Sequence, residues 1–297
     1  MILTVTLNPA VDHTVRLDEP LDASTIHRTD EARFDAGGKG INVSKYLDEF
    51  GAETTATGIL GGFLGSFIES QLSADGISHD FVGIDGQTRL NTTVLTDEEY
   101  KINHTGPKVD TSTIDAIIER IVAHDPETVV IAGSLPSSLD VPAIDRISAA
   151  GGWKTVVDIG GEDLTRLTGS YALCKPNREE LATATGEATT TVEECLHAAE
   201  LLQSDGFDRV IASLGADGAV LATDSNTRHV PALDIDVVDT VGAGDALLAG
   251  VLAEFADGST DEKSLRTGVA IASRVVSMPG TTVPSLSALD TGDDPDI

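Results

Sequence analysis

The sequence has few residues that would cross-link the chain or anchor it in a membrane. Its 297 residues include only two cysteines, Cys174 and Cys195, too few for a disulfide framework or a cysteine-rich metal site. No apolar run is long enough to span a bilayer, and the N-terminus lacks the basic region of a signal peptide. The sequence therefore predicts a soluble, cytoplasmic protein.

Basic residues are also scarce. Lys and Arg total 19, seven of them lysine, against 49 Asp and Glu, so the formal net charge is −30. Nucleic acids and anionic membranes are bound mainly by cationic side chains, which argues against both as partners. A disordered chain would not carry 40% hydrophobic residues in organised runs. We expect a folded protein with a surface adapted to concentrated salt; the alternative is an ordinary acidic protein.

Strand-like and helix-like segments alternate along most of the chain. Short apolar, β-branched runs predict buried strands, and apolar residues at helical spacing predict the helices between them. The predicted strands cover 2–7, 54–60, 128–132, 155–158 and 209–213, and the predicted helices cover 41–50, 63–74, 111–123, 140–149, 191–204, 243–256 and 263–277. This alternation is typical of an α/β fold with a mostly parallel sheet covered by helices on both faces.

Two segments interrupt the alternation, at about 12–36 and 88–106. Both are rich in Thr, Val and acidic residues, and both alternate in polarity without a helical period, as exposed antiparallel strands do. Residues 97–99, Asp-Glu-Glu, have the composition of a hairpin tip. We expect a single 1–297 domain in which these two segments form a small β-sheet lid over a site.

The sharpest functional motif is Asp-Thr-Val-Gly-Ala-Gly-Asp at 239–245, directly before an apolar helix. Glycines at a helix N-terminus expose backbone amides that bind phosphate or developing negative charge. A carboxylate in the same turn, Asp245, can accept the proton of a nucleophile in phosphoryl transfer. A dinucleotide fingerprint would need a third glycine where Leu247 stands, and a plain helix cap does not need two glycines. The motif therefore predicts a base beside an anion hole.

A second glycine-rich motif, Gly-Gly-Lys-Gly-Ile-Asn-Val at 37–43, also opens a helix. It differs from a Walker A loop because Arg33 stands in place of the first glycine and Gly40 in place of the Ser or Thr that holds Mg²⁺. One cation and one amide at a helix start suit a polar, phosphorylated ligand other than the nucleotide. The alternative is a glycine turn between the lid and the helix.

Together with Thr-Leu-Asn-Pro-Ala-Val-Asp at 6–12, these motifs resemble those of the ribokinase-like (PfkB) sugar kinases. The resemblance runs nearly end to end, through Thr-Arg-Leu-Asn at 88–91, Gly-Ser-Leu-Pro at 133–136, Lys-Pro-Asn-Arg-Glu-Glu-Leu at 175–181 and Ser-Leu-Gly-Ala-Asp-Gly at 213–218. It implies the ribokinase-like three-layer α/β/α sandwich with a small β-sheet lid. Within the family the motifs are most similar to those of the 1-phosphofructokinase branch.

The resemblance also implies a role for each matching residue. The catalytic set is Asp245 as the base, with an anion hole at Gly242, Ala243 and Gly244. The substrate set is Asp12, Gly38, Lys39, Asn42, Arg89, Asn91 and Ser134, with Arg89 gripping the phosphate that the sugar already carries. The nucleotide set is Lys175, Asn177, Ser213, Gly215, Ala216, Asp217, Gly218 and Gly244. Glu180 matches the residue that organises Mg²⁺ through water, and loops near Asp239 and Gly280 match places where relatives hold potassium.

These roles imply ATP- and Mg²⁺-dependent phosphorylation of D-fructose 1-phosphate to fructose 1,6-bisphosphate, with K⁺ as a further cofactor to test. Kinases of fructose 6-phosphate or tagatose 6-phosphate are the alternatives, because they share most of the motifs. A non-catalytic sugar-phosphate sensor is a third reading, but a binding protein has no need of a base at Asp245. Lids of this family pair, so the resemblance also implies a homodimer through the lid.

Overall fold

Apolar strands and amphipathic helices alternate through residues 1–277, the part of the chain that the computed structural model describes. The strands are β1 (Ile2–Thr6), β2 (Ala10–Arg16), β3 (Ala32–Gly37), β4 (Thr54–Leu60), β5 (Val82–Gly83), β6 (Arg89–Leu95), β7 (Glu99–Asn103), β8 (Thr128–Ala132), β9 (Lys154–Asp158), β10 (Leu173–Cys174), β11 (Arg209–Ser213), β12 (Ala219–Thr223) and β13 (Thr227–Val230). The helices are α1 (Lys39–Glu49), α2 (Gly62–Ala74), α3 (Thr111–His124), α4 (Pro142–Ala149), α5 (Gly161–Leu164), α6 (Arg178–Thr185), α7 (Val192–Gln203), α8 (Ala243–Ala256) and α9 (Asp261–Val276).

The larger sheet has the strand order β13-β12-β11-β10-β9-β8-β1-β4-β5. Every pair in it is parallel except β11–β12 and β12–β13 at one edge. Parallel neighbours need a crossover connection, and most of the helices provide one. The predicted mostly parallel sheet is therefore confirmed.

Helices cover both faces of this sheet. Successive residues of a strand point to opposite faces. On β8, Val129 and Ile131 belong to the apolar cluster that includes α3, α4, α6 and α7, whereas Val130 and Ala132 belong to the cluster that includes α1, α8 and α9. β4 is buried at all seven positions, as expected for a strand with both faces covered. The three-layer α/β/α arrangement is confirmed.

The second sheet is small and has the order β3-β2-β6-β7. The expected antiparallel strands are present within each segment, as β2–β3 and β6–β7, and the two segments join through β2 and β6, which run parallel in register from Ala10↔Arg89 to Arg16↔Leu95. Both strands run in the same direction away from the larger sheet. Their antiparallel return strands, β3 and β7, lie on the outside.

Helix α8 is the apolar element that carries the glycine motif at its N-terminus. Eight of its 14 residues are buried. It packs closely on α9, since a Cβ at Gly250 would lie 3.1 Å from the Cα of Gly268. Among residues 1–277, no helix is both long enough and apolar enough to cross a membrane.

Candidate active site

The residues predicted for the site lie mostly along the carboxyl edge of the larger sheet. Strands β1, β8, β9, β10 and β11 end there, and the loops that follow four of them contain the quoted motifs. Helices α1, α6 and α8 begin at the same edge. Ligands of open α/β sheets bind outside the carboxyl ends of the strands, where helix N-termini also favour anions.

Asp245 is a nearly buried carboxylate in the first turn of α8, with 7% of its surface exposed. Asn42 of α1 donates from Nδ2 to its Oδ2 at 2.8 Å. Burial and then the nearby Asp158 carboxylate raise the pKa of Asp245 to about 6, although the Asn42 hydrogen bond, Lys175 and Lys39 act in the opposite direction. A base with such a pKa is ionised at neutral pH and still basic enough to take a proton from an alcohol in the transition state.

The turn before Asp245, predicted to be an anion hole, has a left-handed glycine and a neighbouring ammonium group. Gly242, the N-cap of α8, has φ +81°, in the left-handed region that favours glycine. A Cβ at Gly244 would lie 3.2 Å from Lys175 Nζ, so an ammonium group flanks the same helix start. The Ala243 amide donates to Thr240 O at 3.4 Å, a long bond that a bound anion could replace.

The sequence reasoning missed Asp158, the carboxylate at the end of β9. It is fully buried and contacts two residues that were predicted to bind ligands, Lys39 through Nζ at 2.7 Å and Lys175 through Nζ at 3.0 Å. Burial works against its charge, but the two lysines hold its pKa below the usual range. Burial likewise opposes charge on Lys39, yet Asp158, and to a smaller degree Glu180, raise the pKa of that lysine. An acidic residue directly after two buried valines at the end of a predicted strand was the available signal.

Asn177 and Glu180 form a capping box at the start of α6. The Glu180 amide donates to Asn177 Oδ1 at 2.9 Å, and the Asn177 amide donates to Glu180 Oε2 at 2.8 Å. The other carboxylate oxygen, Glu180 Oε1, lies 3.8 Å from Lys39 Nζ. Residues 1–277 hold no cluster of three acidic, His or Cys side chains arranged for a metal. Mg²⁺ keeps several of its waters, so a single carboxylate beside bound phosphates fits that ion.

The predicted nucleotide turn follows β11. The Ser213 amide donates to the carbonyl of Pro176 beside the start of α6, and a 3₁₀ turn covers Gly215–Asp217, including Ala216. Gly218 has φ +84°, and a Cβ there would collide with the carbonyl oxygen of Val230. Within the described chain, no hydrogen bond or ion pair joins this turn to the Asp245 group. The Asp217 carboxylate instead pairs with the Arg178 guanidinium.

The residues of the second sheet that were predicted to bind substrate form one chain of hydrogen bonds with the core. Asn91 Nδ2 donates to Asp12 Oδ1 at 2.8 Å across the β2–β6 pair. Arg89 donates from Nη1 to Asn91 Oδ1 at 3.4 Å and from Nε to the backbone oxygen of Asn8 at 3.2 Å. Asn8 Nδ2 donates to Ser134 Oγ at 3.1 Å. Asn8 was missed, although a polar residue directly after a buried strand was the signal.

Two remaining predicted residues lie at turns. Gly38 is the N-cap of α1 with φ +133°, and a Cβ there would lie 2.7 Å from Thr6 Cγ2. Asp239 Oδ1 accepts from the Val241 amide at 3.0 Å, within the turn that leads to α8. Gly280, the other position linked to potassium, lies outside the described residues.

Sequence comparison gives two relatives that share the name 1-phosphofructokinase. The one from Haloferax volcanii is 52% identical over 294 residues, which cover 99% of this chain and 96% of the relative. The one from Bacillus subtilis is 35% identical over 277 residues, which cover 91% and 90%.

Structure comparison gives phosphofructokinase-2 from Escherichia coli. Its complex with fructose-6-phosphate has a TM-score of 0.85 at 27% identity and covers 93% of each chain. Its complex with potassium has a TM-score of 0.88 at 28% identity, covering 96% of this chain and 95% of that one. The family described as "pfkB family carbohydrate kinase" matches residues 5–288. The chain therefore belongs to the PfkB carbohydrate kinases, phosphotransferases whose acceptor is an alcohol group.

Proposed function

We propose that this kinase is a 1-phosphofructokinase, which uses ATP to convert D-fructose 1-phosphate to D-fructose 1,6-bisphosphate. The observation that carries the proposal is the buried Asp245 carboxylate, positioned by Asn42 at the glycine turn of α8 and flanked by Lys175. The relative at 52% identity, named 1-phosphofructokinase, supports this choice of sugar. The complex of the E. coli enzyme with fructose-6-phosphate is why fructose 6-phosphate is the alternative to test.

In the proposed reaction Asp245 accepts the proton of the sugar 6-hydroxyl as that oxygen attacks the transferring phosphoryl group. The hydrogen bond from Asn42 orients the carboxylate, so the base meets the hydroxyl in one geometry. The amides of residues 242–244 and the Lys175 ammonium stabilise the negative charge that develops during transfer.

The sugar phosphate is proposed to lie between the carboxyl edge of the core and the second sheet. Arg89 binds the existing phosphate, because a guanidinium can donate to two phosphate oxygens at once. Asp12 and Asn91, already paired at 2.8 Å, accept from and donate to sugar hydroxyls. Lys39, Gly38 and Ser134 complete this set, with the Lys39 ammonium held in place by Asp158.

The nucleotide is proposed to lie over the start of α6 and the turn after β11. Lys175 and Asn177 face its phosphates, and Ser213, Gly215, Ala216, Asp217 and Gly218 form the wall of its site. Glu180 would hold Mg²⁺ through water, and the ion when bound would neutralise phosphate charge. Closure of the second sheet as a lid, formed by about 12–36 and 88–106, would exclude water and limit hydrolysis of ATP.

The test is an ADP-release assay with fructose 1-phosphate, fructose 6-phosphate and tagatose 6-phosphate, run in molar KCl. We expect the highest kcat/KM with fructose 1-phosphate, and ³¹P NMR of the product should show phosphates on C1 and C6. A higher kcat/KM with either 6-phosphate would replace the substrate assignment. No ADP release with any sugar phosphate, from protein shown to be folded, would refute the proposed function.

We also propose that the enzyme is a homodimer joined through the second sheet. Its register separates a polar face, with Asp12 and Asn91, from an apolar face. The second face carries the cross-strand rows Phe34–His13–Thr92–Ile102 and Ala32–Val15–Val94–Tyr100. Phe34 is 49% exposed and Ile102 58% exposed, an arrangement that a second copy would cover.

Light scattering after size-exclusion chromatography tests this dimer. The wild type should elute with twice the chain mass, and Phe34→Glu combined with Ile102→Glu should give a monomer with unchanged helix content. Phe63→Glu is the matched control, since Phe63 is 74% exposed but lies on α2. A monomeric wild type, or a double variant that stays dimeric, would refute dimerisation through this face.

A monovalent cation near Asp239 stays a prediction. The support is the potassium complex of the E. coli enzyme, together with the motif around Asp239. The expected result is higher kcat in K⁺ than in Na⁺ at equal ionic strength; equal rates would count against a K⁺ role.

A further inference from the structure

One face of α1 presents a residue to the active site on each of its turns. Lys39, Asn42 and Tyr46 are spaced three and four residues apart, so their side chains lie above one another along the helix. Lys39 contacts Asp158, and Asn42 contacts Asp245. Tyr46, the next residue of this face, has been given no role so far.

Tyr46 places a hydroxyl beneath the glycine turn. The residue is 1% exposed, and within residues 1–277 its hydroxyl has no hydrogen-bond partner. A Cβ built on Gly242 would lie 3.0 Å from this hydroxyl, so Gly242 is restricted both by its φ and by the tyrosine below it. A buried hydroxyl without a partner destabilises a protein, and phenylalanine would fill the same space without that cost.

The turn above Tyr46 is anchored at both ends, where Asp239 donates to the carbonyl of Val276 at 3.1 Å and Ala246 donates to the carbonyl of Gly242 at 2.9 Å. Between these ends Val241 donates to Asp239 Oδ1 at 3.0 Å, Ala243 donates to Thr240 O at 3.4 Å, and Val241 is 49% exposed. Because the amides of the turn must face a reacting group in one geometry, a further hydrogen bond from beneath Gly242 would fix the turn between its two anchored ends.

We infer that Tyr46 is a positioning residue, whose hydroxyl bonds to the backbone of the 239–244 turn in the ligand-bound enzyme and fixes the anion hole relative to Asp245. This inference rests on the proposed phosphoryl transfer and deepens it. It gives a role to a buried hydroxyl that has no hydrogen-bond partner among residues 1–277.

The test is Tyr46→Phe, which removes only the hydroxyl. We expect kcat to fall about tenfold, the effect of one lost hydrogen bond made mainly in the transition state, with both KM values unchanged within about twofold. The Tm should equal or exceed that of the wild type, since no hydrogen bond within residues 1–277 is lost. Tyr46→Met, which also lacks the hydroxyl, should lower kcat by at least as much.

Tyr171→Phe is the matched control. Tyr171 is also buried, but its hydroxyl donates to Asp145 Oδ1 at 2.5 Å, and it belongs to no proposed ligand set. This variant should show the opposite behaviour, with a lower Tm and an unchanged kcat.

The outcomes separate the inference from the proposed function. A wild type without kinase activity would overturn the proposed function and the inference with it. An active wild type with an equally active Tyr46→Phe variant would overturn the inference alone. A Tyr46→Phe variant that loses Tm as Tyr171→Phe does would show that the hydroxyl has a structural role, which also overturns it.

Discussion

The pH dependence of kcat/KM tests whether Asp245 is the base. Its pKa is raised to about 6, chiefly by burial, and it must be ionised to accept a proton. The fraction of ionised Asp245 is about nine tenths at pH 7, half at pH 6 and about a tenth at pH 5. Activity should therefore fall along an acid limb centred near pH 6.

The Asn42→Ala substitution should move this limb in a known direction. Asn42 Nδ2 donates to Asp245 Oδ2 at 2.8 Å and favours the ionised form, so its loss raises the pKa further. A hydrogen bond to a charged group contributes about 1.5–3 kcal/mol, and 1.36 kcal/mol corresponds to one pKa unit. With part of the bond replaced by water, the limb should shift by about one unit, to near pH 7.

The control is Asn91→Ala, which removes a bond of the same 2.8 Å length from a different, half-buried carboxylate, Asp12. It should raise the KM for the sugar phosphate without moving the midpoint of the acid limb. The phosphate of the substrate also titrates near pH 6, but it does so equally for every variant, so the difference between variants reports on the enzyme. An unmoved limb in Asn42→Ala, or equal shifts in both variants, would refute the assignment of Asp245.

Three further predictions use the same protein. Asp245→Asn should reduce kcat by at least about 10³-fold. Because the pKa of Asp245 in the folded protein lies above its unfolded value of 3.8, the substitution should also raise the free energy of unfolding by up to about 3 kcal/mol at pH 8, and this gain should disappear by about pH 4. An unchanged Tm at pH 8 would contradict this linkage. Arg89→Ala should raise the KM for the sugar phosphate about 10²-fold and leave the KM for ATP within about twofold. Equal increases in the two steady-state KM values would show that Arg89 does not bind the sugar's phosphate. The Tm should rise between 0.1 and 2 M KCl, because the Debye length falls from about 10 Å to about 2 Å and the repulsion among the surface carboxylates that give the net charge of −30 is screened. A Tm that falls with salt would refute the role of this repulsion.

Elements with a strong local pattern could be predicted from the sequence, and those defined by their neighbours could not. Helix α8 was predicted with its observed bounds because its apolar run is flanked by a glycine motif and Asp257-Gly258. Strand β10 has only two residues, too few to show a period, and β13 is a polar edge strand with two exposed positions. The parallel pairing of β2 and β6 was missed because alternation predicts strands but does not give their direction.

For the candidate site, the sequence motifs identified the loops that the fold brings to one edge of the sheet but not the residues behind them. Asn42 and Asp245 are 203 positions apart, and Lys39 and Asp158 are 119 apart, so only the fold brings each pair together. The local sequence pattern shows Asp158 only as the end of a strand, and it shows Tyr46 only as an apolar position of a helix. Both matter because of the residues that other elements of the fold place against them, which no local pattern contains.

The positions of the few basic residues show how a chain with a net charge of −30 can bind an anionic substrate. Lys39 and Lys175 share one buried carboxylate, Asp158, and the carboxylates of Glu180 and Asp245 lie near Lys39, so this group of side chains has no excess of positive charge. The hydrogen bonds of Arg89 go to neutral oxygens, which leaves its charge for a phosphate, whereas Arg178 pairs with Asp217. In molar salt the surface carboxylates are screened over about 3 Å, so their repulsion of an anion is short-ranged. An anionic substrate would therefore be bound by individual donors, namely the Arg89 guanidinium, the lysine ammonium groups and the backbone amides of the glycine turn, and in such salt the −30 of the whole chain would act on it only weakly.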